Sequence, residues 1–221
     1  MKKIIALILA ALMLVFCVAC GNTNDDVKDT DVTTDEITTE AGVVEPAKPA
    51  TEVFNAALDA FYAKLAPLFE MDAADVASAF MGGYFSDSEE PTYLQGAAAK
   101  TPVDVEDATA MLAANSFVTE DVLAKIDDAA IFGHAMNVPT LTMSIVHVVN
   151  ASDVDAIAST RRDNIGGNEV WMCGFPEKYI VIKLDDYVIS GYGKVDMIDN
   201  LKAAFTETDE NAVVVCDEVI E

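Results

Sequence analysis

Residues 179–192 read YIVIKLDDYVISGY. Two runs rich in β-branched and aromatic side chains, Tyr179–Leu184 and Tyr187–Tyr192, flank Asp185-Asp186. Such runs separated by two turn-forming residues predict a β-hairpin, although glycine at the second turn position would be stronger. The neighbouring sequence extends the pattern. Thr140–Val149 (TLTMSIVHVV) is another β-type run, bounded by Pro139 and Asn150. Ser152 then offers a cap for a helix from Asp153 to about Arg162, with Val154, Ile157 and Ala158 on one side. Gly166-Gly167 and the turn Cys173-Gly174-Phe175-Pro176 separate that helix from the hairpin. Beyond the hairpin, Val195–Thr206 is amphipathic through Val195, Ile198, Leu201 and Phe205, and Ala212–Ile220 is a closing β-type run.

The order strand, helix, strand, strand, helix, strand predicts an α+β fold over residues 136–221, an antiparallel sheet with β-α-β-β-α-β (ferredoxin-like) order. Strands two and four would then occupy opposite sheet edges. The preceding residues read differently. Val53, Phe54, Ala57, Leu58, Phe61 and Leu65 recur at helical spacing, with Glu52 in the first turn and Pro67 as a stop. Asp72–Phe80 reads as a second short helix ended by Gly82-Gly83, followed by a polar loop over Ser86–Glu90. A further helix is expected over Asp104–Ala114, and Thr119 looks like the N-cap of another running from Glu120 to Ala130. Residues 51–135 are thus expected to form a set of short helices without a repeat period.

The amino terminus carries the information about location. Lys2 and Lys3 precede an apolar run from Ile4 to Val18, which ends in Cys17-Val18-Ala19-Cys20-Gly21. A short basic region, an apolar stretch of about 15 residues and a small residue before a cysteine make a secretory leader. The arrangement resembles a bacterial lipoprotein signal, although position 17 is cysteine rather than the usual leucine. The resemblance implies removal of residues 1–19, lipidation of Cys20, and attachment to the outer face of the cytoplasmic membrane. A retained N-terminal helix and plain secretion are the alternatives; a spanning helix needs roughly 20 apolar residues. The Cys17-x-x-Cys20 spacing is read as part of the leader, since no strand–helix redox context surrounds it.

Residues 20–50 contain no aromatic side chain and are rich in Thr, Asp and Glu, so they are expected to form a disordered acidic tether. Thirty such residues reach about 30 Å, enough to lift a domain off a bilayer. Loss of the leader leaves 11 basic against 38 acidic residues, a net charge of −27. A surface that negative excludes nucleic acid as a partner and favours cations, basic peptides or basic wall components; its simplest use is solubility. Cys173 and Cys216, too few for a disulfide scaffold, are either bridged or small buried residues, and opposite-edge strands would keep them apart.

Few motifs carry chemistry. Gly191-Tyr192-Gly193 has the strand-to-helix context of a dinucleotide loop, but Asp196 stands where the third glycine belongs. Asp196 is better read as compensation of a helix dipole. His134 and His147 belong to no H-E-x-x-H pattern, and there is no G-x-S-x-G. His147 is read as a strand histidine, and Arg161-Arg162 as a solvated helix end. Acidic pairs such as Asp127-Asp128 and Asp185-Asp186 lack the alternating oxygen ligands of an EF-hand. No cofactor or metal is expected. Trp171, Phe175 and Tyr179 are read as core-edge packing or an exposed interaction patch.

With the leader and tether, the run from about Val138 to Glu207 is similar to small lipoproteins of Gram-positive bacteria that carry a domain of unknown function. The similarity rests on Met143–Val149, the helix opening Asp153-Val154-Asp155-Ala156-Ile157, Pro176 with Tyr179–Ile182, Tyr187-Val188-Ile189, and the Leu201–Phe205 helix. It implies location and architecture and supplies no catalytic residues. The functional expectation is a lipid-anchored, non-enzymatic binding module for a protein, peptide or cell-wall partner. The alternative is an extracellular hydrolase using dispersed carboxylates or a histidine.

Overall fold

The computed structural model describes residues 47–84, 92–103, 118–171 and 173–221. Among them the chain forms helices α1 (Ala50–Asn55), α2 (Leu58–Phe69) and α3 (Ala73–Ala77), then strands β1 (Phe80–Tyr84), β2 (Thr92–Gln95) and β3 (Ala99–Lys100). Helix α4 (Glu120–Leu123) and strands β4 (Ile126–His134) and β5 (Leu141–Val148) follow. The rest is α5 (Val154–Gly166), β6 (Lys178–Leu184), β7 (Tyr187–Gly193), α6 (Val195–Thr208) and β8 (Val213–Val219). This is a mixed helix and antiparallel-sheet fold, as expected, and residues 46–221 make one unit.

The hairpin is where the sequence put it. Asp185 turns in the left-handed region at φ 50°, which aspartate tolerates better than most residues, and β6 and β7 pair from Leu184↔Tyr187 outward. The succession β5-α5-β6-β7-α6-β8 is also present. The sheet order is not ferredoxin-like, however. It runs β2-β1-β4-β5-β7-β6-β8, so strand two of the module (β6) lies beside strand four (β8) instead of on the opposite edge. The cause lies upstream. The edge of β5 is occupied by β4, paired from Ile126↔Val148 to Gly133↔Thr142, which leaves the far edge for the closing strand.

That displacement reverses a helix. The β5–α5–β6 and β7–α6–β8 connections step the same way across the sheet, while β5 and β7 run antiparallel. Right-handed crossovers must then place α5 and α6 on opposite faces. The packing agrees. Ile198, Leu201 and Phe205 of α6 join Ile145, Ile182 and Ile189 in one core. Val154, Ile157 and Ile165 of α5 join Val146, Val181 and Val188 in the other. Alternate residues of each strand thus enter different cores, which is why these strands read as apolar throughout.

The first half departs most from its sequence reading. The helical stripe is right: Phe54, Ala57, Leu58, Phe61 and Leu65 are all buried. Phe54 packs on Phe132 and Phe205 at 5.4 and 5.2 Å, joining α1 to the sheet and to α6. Each such buried side chain contributes about 1.5–3 kcal/mol. Pro67 does not stop α2, which runs on to Phe69. Residues expected to be helical, Ile126–Ala130, are strand, and so is Phe80. Gly82 breaks no helix: it lies in β1, where a Cβ would sit 2.1 Å from Ala99 N of the crossing β3. Among the described residues of 51–135, four strands accompany the helices, and the sheet crosses the boundary expected after residue 135. The loop at Ser86–Glu90, the helix at Asp104–Ala114, the leader with Cys20 and most of the tether lie outside the described residues.

Candidate functional site

The end of α2 is built to expose apolar side chains. Glu70 adopts the left-handed conformation at φ 55°, and Met71 N–H closes back on Ala66 O at 3.1 Å, a Schellman-type ending. Phe69 and Met71 are left 46 and 50% exposed. Both face a cleft of about 590 Å³ whose apolar wall continues through Val76, Ala79 and Phe80. The start of α6, with Val195, Asp196 and Met197, also lines it, as do His134 and Thr140. The lining comes from widely separated segments. A volume of this size, mostly apolar with a few polar groups, falls within the range of small-molecule pockets.

Four charged side chains line the cleft. The Glu177 carboxylate accepts from Lys194 Nζ at 2.8 Å and from Val195 N–H at 3.1 Å, so it caps α6 from outside the helix. The lysine first, and then the amide, hold its pKa below the usual carboxylate value. Glu177 thereby cancels both positive features of the cleft, the ammonium and the helix N-terminus. Asp75 and Asp196 have no cationic partner among the described residues.

His134 is half-buried, with its ring edge-on to Phe80 at 5.6 Å and 81°. Burial pushes its pKa down, so the imidazole is neutral at pH 7. Nδ1 accepts the Met136 N–H at 3.2 Å, which leaves the proton on Nε2. In that tautomer the ring donates from Nε2 and is not a general base there.

His147 sits elsewhere, at the opposite end of the β4–β5 ladder. Its Nδ1 lies 2.5 Å from Asp127 Oδ1 and its ring 4.9 Å from Tyr187, beside a smaller pocket of about 300 Å³. Glu52, Asp185, Asp186 and Asp209 also line that pocket. The two histidines are therefore not parts of one site. Among the described residues no cluster of His, Cys, Asp or Glu is placed to hold a metal, and no helix is long and apolar enough to cross a membrane.

Trp171, Phe175 and Tyr179 are not gathered into one exposed surface. Tyr179 is buried and donates to Glu218 at 2.8 Å, Trp171 packs 4.8 Å from Tyr192, and Phe175 is 71% exposed. Cys173 is exposed and Cys216 buried, both as free thiols. Gly191 and Gly193 serve the sheet instead of a phosphate loop: a Cβ on Gly191 would meet Thr142 O at 2.1 Å.

Arg161 reverses its sequence reading. It is wholly buried between α5 and the sheet, where it donates to Val188 O at 2.7 Å and to Ser144 Oγ. Its Nε and Ser190 Oγ have no hydrogen-bond partner among the described residues. Arg162 is the partly exposed member of the doublet, paired with Asp163.

Comparison of the chain with protein-family models, curated proteins and solved structures returns no match.

Proposed function

We propose that this protein is a lipid-anchored extracytoplasmic binding module, attached through Cys20 to the outer face of the cytoplasmic membrane, with the α2–α6 cleft as its binding site. The leader and the acidic tether support the location. The observation that carries binding over catalysis is the cleft itself: an apolar trough of about 590 Å³ whose histidine is a neutral donor and whose Glu177 is tied up as a helix cap. A general acid needs a carboxyl with a raised pKa, and Glu177 moves the other way. The hydrolase alternative rests on the Asp127–His147 contact, since a carboxylate on Nδ1 is how a catalytic histidine is oriented.

The test uses the neutral fluorescent probe N-phenyl-1-naphthylamine. Wild type takes it up saturably, and Phe69→Ser with Met71→Ser weakens uptake about tenfold while leaving the unfolding midpoint within experimental error. Equal uptake by both proteins would refute the cleft as the site. Mass spectrometry of protein from its native host should find a diacylglyceryl Cys20 as the first residue. An intact Met1 would refute the anchor. Hydrolysis of ester or glycoside substrates that disappears in His147→Gln would favour the alternative.

A further inference from the structure

We infer that the cleft's occupant is a basic amphipathic peptide segment, which seats an apolar side chain in the trough and places Lys or Arg against Asp75 and Asp196. The inference rests on the cleft being a binding site. Its first support is charge. Three carboxylates and one ammonium line the trough beside a neutral imidazole, a local charge of −2. Glu177 already caps the α6 N-terminus at Val195 N–H and pairs with Lys194, so both positive features of the cleft already face a carboxylate. Asp75 and Asp196 both line the cleft, are exposed, and are unpaired among the described residues. Each lies in the first turn of a helix, where the dipole stabilises the anion without neutralising it.

The second support is the extent of the apolar surface. Phe69, Met71 and Val195 are exposed in the cleft, and Leu68, next to Phe69 in sequence, is exposed outside it. A cleft of about 590 Å³ is larger than one small cation fills. Met71 and Met197 line the cleft, and the flexible, polarisable methionine chain adapts to different apolar partners. An amphipathic segment in an apolar groove is a recurrent recognition mode.

The test compares a 14-residue Leu/Lys amphipathic peptide with its Leu/Glu counterpart, using the full-length protein. The basic peptide is expected to bind at least tenfold tighter than the acidic one and to weaken as salt rises. Asp75→Asn with Asp196→Asn should lower basic-peptide affinity about tenfold. Glu120→Gln with Asp121→Asn removes the same charge from α4 and should change affinity less than twofold. Equal losses in the two double variants would mean that only net charge is read, and would overturn the proposal. So would equal binding of the two peptides with naphthylamine uptake intact, or tight binding of dodecyltrimethylammonium that excludes the peptide. If naphthylamine itself fails to bind the cleft, the underlying site falls first.

Discussion

Replacing Arg161 by methionine tests how the second core is held together. The guanidinium is wholly buried, with hydrogen bonds to Val188 O and Ser144 Oγ and a partnerless Nε. Burial pulls its pKa down, so the protein bears a penalty for keeping it charged. Removing an ion from such a site relieves several kcal/mol of desolvation. Against that stand two bonds from a charged donor, each worth about 1.5–3 kcal/mol. Methionine keeps most of the apolar stem, so the two terms nearly cancel and Arg161→Met should change stability by less than about 1.5 kcal/mol. Adding Ser144→Ala removes the hydroxyl left without its donor and should recover about 1–2 kcal/mol. Arg161→Ala leaves a void and should cost about 3–5 kcal/mol. Urea unfolding followed by circular dichroism, with the slope checked for constancy, reads all three. A loss above 3 kcal/mol in Arg161→Met, not recovered by Ser144→Ala, would refute the reasoning. The guanidinium would then be a net stabiliser.

Other outcomes follow from single contacts. Gly191→Ala drives a Cβ to 2.1 Å from Thr142 O and 2.3 Å from Met143 Sδ, and should cost about 3 kcal/mol or more in the same assay. Gly167→Ala meets only Asp163 O, at 3.0 Å, and should stay within about 1 kcal/mol. Burial raises the Asp217 pKa, but Lys178 at 2.8 Å and Lys202 at 2.6 Å outweigh it and set it below the usual value. A carboxyl lowered in the folded state adds stability above its unfolded pKa of about 4, lost as pH falls through the folded value. Asp217→Asn should therefore cost about 1–2 kcal/mol at pH 7 and flatten the acid limb of stability against pH. A parallel shift at every pH would count against this. Iodoacetamide should label Cys173 within minutes and Cys216 only after denaturation, since burial also raises the Cys216 thiol pKa. Peptide mass mapping tells the two thiols apart.

The sequence by itself determined the parts whose physics is local. Tyr179–Leu184 and Tyr187–Tyr192 pair because their β-type runs meet at a two-residue turn, and no distant residue is needed to see it. The Phe54–Leu65 stripe and the Val195–Phe205 face are legible because helical periodicity is written into consecutive residues. Tertiary structure decided the rest. Ile126–Ala130 carries helix-compatible alanines, yet becomes strand: it pairs with β5, with Ala130 in the core that holds the α1 and α2 aromatics and Ala129 in the core on the other face. Once β4 covers that edge of β5, β8 can close only the far edge, and α6 must change faces. Arg161 reads as solvated until Ser144 and Val188 are seen beneath it. The cleft follows the same logic. Phe69, Asp75, His134, Glu177 and Asp196 have no common spacing, and only the folding of α2, β4 and α6 onto one sheet end brings them together.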